Sequence, residues 1–198
     1  MENPLATLSF NGGWLSLDFT NTVSARRPVK GDEYLNTWGD FALWVERSGM
    51  FSATDLAAWK KMPPGDMSEV WGLREALYEM FRYVTDHGTV SEAQLDVLNG
   101  FLHETYAHTC LHLGPTGFRR GVDEAPHPDK PLWLIVLSAE ALLLGGRLER
   151  LKACVNCGWL FLDTSKNGTR RWCEMSTCGS QSKAKAYYHR RKNAGTPE

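Results

Sequence analysis

The chain of 198 residues holds five cysteines, and four of them fall in its last quarter as Cys154-x-x-Cys157 and Cys173-x4-Cys178. A two-residue gap lets both sulfurs of a knuckle turn onto one ion, and Zn²⁺ takes four thiolates in tetrahedral geometry. Gly158 supplies the tight turn after the first pair. The fifteen residues between Cys157 and Cys173 are enough for a short hairpin that returns the second pair to the first. Two disulfides or four unligated thiols are the competing readings. Four thiolates leave no coordination position for water, so the expected cofactor is one structural Zn²⁺ and not a catalytic metal.

The chain begins Met1-Glu2-Asn3-Pro4, without a basic stretch leading into an apolar run, so no secretory signal is expected and the reading is a reducing, cytoplasmic location. The most apolar segment, Leu132 to Leu144, spans 13 residues and contains Glu140. A bilayer needs about 20. A buried helix is expected there, and no membrane partner.

The net charge of −1 conceals a division. Residues 150–198 carry ten Lys/Arg against three Asp/Glu, a net +7, while the rest carries 12 against 20, a net −8. A basic face on a metal-held scaffold is the electrostatic footprint of a polyanion binder, although a basic face can also be plain solvated surface. The acidic remainder offers the same face an intramolecular partner.

Elsewhere the chemistry-bearing residues are sparse. Asp18 and Asn21 follow a Gly12-Gly13 turn and form the candidate ligand pocket, against a reading as caps or turn formers. His103, His108, His112 and His127 show no metal-binding spacing. Cys110 reads as a buried thiol at a strand edge. There is no dinucleotide, phosphate-loop or serine-elbow motif, so no catalytic residue is assigned and the chain is not expected to be an enzyme. Trp14, Trp38, Trp44, Trp59, Trp71 and Trp133 are expected in helix packing, with a minority available to line a small-molecule pocket.

The elements that position these groups divide at residue 147. Residues 1–147 predict a mostly helical α+β body with one small sheet. Leu8 to Val23 alternates around Asn11-Gly12-Gly13 and predicts an extended segment or hairpin. Trp38, Phe41, Ala42 and Val45 predict a helix over Thr37 to Ser48, and Ser52-x-x-Asp55 resembles a capping box before a second. Val70, Leu73, Leu77, Phe81 and Val84 predict a long amphipathic helix closed by His87-Gly88. Another follows from Ser91, with Leu95, Leu98, Leu102 and Tyr106 on one side. A hairpin is predicted around Gly114-Pro115-Thr116-Gly117, and then the apolar helix.

Residues 148–198 predict knuckle, hairpin and helix in a treble-clef-like arrangement. Trp159 to Asp163 reads as one strand, Asn167-Gly168 as its turn and Thr169 to Trp172 as the returning strand. A helix should run from Ser180 to Lys192, with Cys178 at its start. Arg170 and Arg171 would face opposite sides of the returning strand, whereas Lys183, Tyr187 and Arg190 or Arg191 would share one helix face. Tyr187, Tyr188 and Trp172 could instead pack a small core.

The stretch from Cys154-Val-Asn-Cys157-Gly-Trp-Leu-Phe161-Leu-Asp163 through Arg170-Arg171-Trp172-Cys173-Glu-Met175-Ser-Thr-Cys178-Gly179, with Lys183, resembles the CGNR-type zinc finger of bacterial proteins. The Gly-Gly-x-Leu-x-Leu-Asp18-Phe-x-Asn21-Thr stretch and the helical body resemble the ABATE domain that precedes that finger. The resemblance covers nearly the whole chain. It implies a stress-induced transcription regulator, with the finger binding DNA and the body acting as sensor or interaction domain. One departure stands out: the eponymous Cys-Gly-Asn-Arg reads Cys178-Gly179-Ser180-Gln181 here. The fourth ligand is kept, but a positive charge beside the metal is replaced by a neutral amide, which weakens any phosphate contact made there.

Three functional readings follow. In the first, the finger docks on DNA through Arg170, Arg171, Lys183, Lys185, Arg190 and Arg191, while the body responds to a small-molecule effector, a partner or a second copy in a homodimer. In the second, the finger is a protein or RNA interaction module, or a clamp on the acidic body. The third is a small-molecule binder or enzyme built around Asp18 and Asn21.

Overall fold

The structure is a computed structural model describing residues 3–114, 116–145 and 147–194, without the side chains of 189, 190 and 192–194. Helix α4 (Met67–His87) is the spine. Asp66 caps its first turn by accepting from Ser68 N–H, and Gly88 closes it in the left-handed region at φ 74°. The stripe of Val70, Leu73, Leu77, Phe81 and Val84 is buried along its length, as the spacing predicts.

Against this spine pack α5 (Glu92–Ala107), α6 (Lys130–Leu144) and α1 (Leu15–Thr20). Helix α6 is apolar over most of its surface, and Ile135, Val136, Ala139 and Leu142 lie in the core. Helices α2 (Trp38–Ser48) and α3 (Ala53–Trp59) close one flank with aromatic rings, Phe41, Trp44 and Trp59 among them. Thr37 and Asp40 form a full capping box, and Ser52 caps α3 through Asp55 N–H. Strands β1 (Thr109–Gly114) and β2 (Gly117–Val122) form the predicted antiparallel hairpin, pairing Thr109 with Val122 and Gly114 with Gly117.

Four local expectations differ from the structure. Residues 15–20 are helical, not extended: α1 buries Ser16, Leu17, Phe19 and Thr20, so no polar face marks its period. On α5, Leu98 and Thr105 face the core, while Leu95 and Tyr106 are exposed. Cys110 is exposed on β1. In the C-terminal part, β3 (Leu151–Ala153) and β4 (Leu160–Leu162) are the paired strands, so the knuckle itself is the turn of the hairpin. Asn167-Gly168 does turn, with Gly168 at φ 59°, but residues 169–172 do not add a strand. Their backbone is taken instead by Lys152 Nζ, which bonds Arg170 C=O, and by Val155 N–H, which bonds Arg171 C=O.

The body and the cysteine-bearing module share one core. Leu17, Phe19 and Phe41 belong to the same buried cluster as Leu160, Phe161 and Cys154. Among the described residues no helix is long and apolar enough to cross a membrane.

Candidate metal centre and its basic surround

Cys154 leaves β3 and Cys157 ends the knuckle, whose backbone closes through Gly158 N–H to Cys154 C=O at 2.9 Å. Gly158 has φ 79°, in the left-handed region that favours glycine, and a Cβ there would come within 2.9 Å of the Arg26 Cβ. Cys178 is carried on a π-turn, Met175–Gly179, that leads into α7 (Ser180–Ala194). Cys173 reaches in from the irregular segment. All four sulfurs are buried and lie within 4.8 Å of one another, with Cys157–Cys173 at 3.6 Å and Cys173–Cys178 at 3.7 Å.

Those distances discriminate between the readings of the cysteines. A disulfide needs about 2.05 Å between sulfurs. Four thiolates about 2.3 Å from a tetrahedral zinc ion stand about 3.8 Å apart. Without a cation, the Cys157 and Cys173 thiols are pushed above the ordinary thiol range by hydrogen bonds within the cluster, chiefly with Cys154, and then by burial. A divalent ion is what allows all four to ionise together, and backbone N–H groups directed at Cys154 and Cys157 support that state. The residues therefore fit a single structural zinc ion held by Cys154, Cys157, Cys173 and Cys178.

A polar frame locks this module to the body. Asn21 donates through Nδ2 to Leu160 C=O at 2.8 Å and accepts Leu160 N–H on Oδ1 at 2.9 Å. Trp159 Nε1 donates to Val23 C=O, Leu162 N–H to Gly12 C=O and Arg26 N–H to Cys157 C=O. The Arg26 guanidinium donates to Thr20 C=O and Glu75 and lies 4.1 Å over the Tyr78 ring, whose hydroxyl donates to Gly158 C=O. Arg74, 1% exposed, holds Glu33 with two 2.5 Å bonds and also reaches Glu75. Burial pushes the Glu75 carboxyl up, but Arg26, Lys30 and Arg74 outweigh it and hold it at about 2.

Spacing alone does not reveal this network. Its one sequence signal is Arg74, which interrupts the apolar stripe four residues after Val70.

Asp18 and Asn21 are both engaged by backbone groups of the chain itself. Both Asn21 polar atoms are engaged by Leu160, and the Asp18 carboxylate accepts Gly12 N–H at 2.7 Å. Burial raises the Asp18 carboxyl to about 7 against the lowering effect of that bond.

The basic residues separate into two groups. Arg170 turns inward: Nε donates to Trp172 C=O, Nη2 to Cys173 C=O, and the guanidinium lies over the Phe161 ring. Lys152 likewise binds the buried Asp163, whose carboxyl burial would raise, but which Lys152, Ser165 and Arg170 N–H hold well below the usual range. Arg171, Lys183, Lys185 and Arg191 are exposed and pair with no acid among the described residues. Arg191 lies 5.9 Å over the Tyr187 ring, which puts it on the face shared with Lys183. The Arg190 side chain lies outside the described residues.

Arg27 and Arg82 from the body join Lys152, Arg170 and Arg171 around a concavity of about 440 Å³ in which Asp86 is the one acid. Sequence spacing cannot register this composite, because its arginines are separated by most of the chain. On the other side of the cysteines, Gln181 accepts from Asn156 Nδ2 at 3.0 Å beside a second cleft, of about 490 Å³.

Residues 13–146 match the family model of the ABATE domain, described as "Putative stress-induced transcription regulator", and residues 150–191 match that of the CGNR zinc finger. A search of curated proteins finds no match.

Proposed function

Because the chain belongs to the ABATE family and ends in a CGNR zinc finger, we propose that it is a cytoplasmic bacterial regulator whose finger binds the phosphate backbone of DNA while the body responds to a small-molecule effector. The observation that carries this reading is helix α7. It exposes Lys183, Lys185, Arg191, Tyr187 and Tyr188, and its first turn is tied back by Ser180 to Met175 C=O and by Gln181 to Asn156. A helix polar on all sides gains little from its own chain, and cations without acidic partners are the groups that phosphates recruit.

Arg171, Lys183, Lys185 and Arg191 are the proposed contacts, with Arg27 extending the surface onto the body, where Arg82 is paired with Asp86. Arg170 serves by holding the Cys173 segment in place. The zinc ion supplies the scaffold; the chain's own residues supply charge and stacking. With Gln181 in the fourth family position, the finger makes one ionic contact fewer beside the metal. The test is affinity for duplex DNA and duplex RNA over a range of salt, with zinc-loaded full chain. Binding that weakens steeply with salt, and is stronger for DNA, supports the reading; salt-independent or absent binding overturns it.

A second reading is favoured by the Asn21–Leu160 pair and the common core. In it the finger also clamps the body, so that zinc loading governs the fold of the whole chain.

A further inference from the structure

Three helices each bring one turn to a cleft of about 150 Å³ on the body: Glu69, Gly72 and Leu73 from α4, Phe101, Glu104 and Thr105 from α5, and Asp129, Leu132, Trp133 and Val136 around the start of α6. In each set the first residue is followed by others three and four positions on, so they share one helix face. The floor is apolar and aromatic. The rim carries carboxylates and no Lys or Arg.

Three observations set this cleft apart from an ordinary surface depression. Thr105 is 1% exposed, lines the cleft, and its hydroxyl has no hydrogen-bond partner. A buried hydroxyl left unpaired is unfavourable, and such a group is normally satisfied. Gly72 lies within helix α4, where glycine is the costliest residue after proline, yet a Cβ there would meet nothing within 4 Å. Without a side chain, Gly72 leaves the α4 side of the cleft open. Glu69 and Glu104 form no ion pair among the described residues. Their neighbourhood is acidic enough that the Glu69 carboxyl is raised, first by burial and then by Asp129, Glu104 and Asp66.

A metal ion does not suit the site. Among the described residues the four cysteines are the one group of three or more Cys, His, Asp or Glu whose ligand atoms come close enough together to hold an ion. An anion would face the carboxylate rim. A cationic head on an apolar body suits both parts, because the head can lie between Glu69 and Glu104 and donate to Thr105 while the body rests on Phe101 and Leu132. His127 Nδ1 accepts Asp129 N–H at 3.2 Å, and the His127 and His108 rings stack on Trp133, so Asp129 stands beside Glu69 and Glu104 as a third carboxylate of the lining.

We propose that this cleft binds a small organic ammonium ion, its head held by Glu69, Glu104 and the Thr105 hydroxyl and its hydrocarbon part seated on Phe101 and Leu132. Its use as an effector site rests on the regulator reading; the binding itself does not.

The test is ligand-observed NMR titration of the zinc-loaded full chain, without nucleic acid, using benzylamine, cyclohexylamine and n-butylamine, with benzyl alcohol and benzoate as charge controls. At least one amine is expected to saturate, and benzoate is not. Glu69→Gln with Glu104→Gln should weaken the amine by about tenfold or more, the usual worth of a charge-assisted contact. Thr105→Val should weaken it without loss of thermal stability. Gly72→Leu should raise the melting temperature and abolish binding, which separates a plugged site from a misfolded one. The proposal is overturned if no amine saturates, if benzyl alcohol binds as tightly as benzylamine, or if Gly72→Leu leaves affinity unchanged. None of these readouts involves DNA, so the site and the regulator reading can fail separately.

Discussion

Asn21 and Leu160, 139 residues apart in the chain, are joined by two hydrogen bonds that run in opposite directions, so the side-chain amide acts as a one-residue strand partner for β4. Both residues are buried. Asn21→Ala should leave the Leu160 N–H and C=O without partners and cost about 2–4 kcal/mol, since each stranded group carries its own desolvation penalty. Urea denaturation of the zinc-loaded chain measures this, and a change below about 0.5 kcal/mol, the range of ordinary surface substitutions, would mean that water replaces the pair.

Zinc and the helical body should unfold together. The cluster containing Cys154 and Phe161 is continuous with the one containing Leu17 and Phe41, and a metal site couples its binding energy to whatever folds around it. Chelation, or Cys157→Ser, should lower one cooperative transition seen at the same midpoint by circular dichroism and tryptophan fluorescence. A finger that melts first, leaving the body intact, would count against the shared core.

Asp18 makes stability depend on pH. Its carboxyl lies at about 7 in the folded chain against 3.8 as a free side chain, so the folded state retains a proton that the unfolded state has already released. The contribution is full below the lower value, declines as pH rises toward 7, and is gone above it. Within that window each pH unit costs up to about 1.4 kcal/mol. Asp18→Asn keeps an oxygen for Gly12 N–H and should flatten the slope. Glu75, held at about 2, contributes in the opposite sense: its stabilisation is present above the ordinary carboxylate range and is lost as pH falls toward 2.

The two neighbouring arginines should behave differently. Arg171→Ala should leave melting unchanged and reduce the slope of log affinity for DNA against log salt by about 0.9. Arg170→Ala should lower thermal stability, because its guanidinium serves Trp172 and Cys173 carbonyls. Equal salt slopes for Arg171→Ala and the unmodified chain would remove Arg171 from the interface.

Gln181→Arg restores the charge that the family motif carries beside the metal and gives up the bond from Asn156. If the surface next to Cys178 meets phosphate, this substitution should steepen the salt slope by about 0.9, one added contact. Unchanged binding would place that face of α7 away from the nucleic acid.

Much of the secondary structure is legible in local patterns. The stripe from Val70 to Val84, the Thr37–Asp40 box and Gly88 each act within a few residues, so spacing alone reveals α4, its stop and the start of α2. Helix α1 is hidden because it is buried on several sides, and the pairing of β3 with β4 is hidden because three-residue strands carry no period to detect. Cys110 is misplaced by its type: cysteine is usually buried, but here its strand belongs to an outlying hairpin.

At the metal centre the local residue pattern specifies the ligand set, since two close cysteine pairs and a glycine turn call for tetrahedral thiolate chemistry wherever they fold. The amino-acid order also sets the segregation of charge. Tertiary structure alone decided which polar residues became structural: Asn21 pairs with Leu160, Arg170 turns inward while Arg171 does not, and Thr105 faces a cleft made by three helices. The physical reason is that burial of a polar group is a relation between distant segments. Its sign, favourable or costly, depends on the partner that folding brings to it.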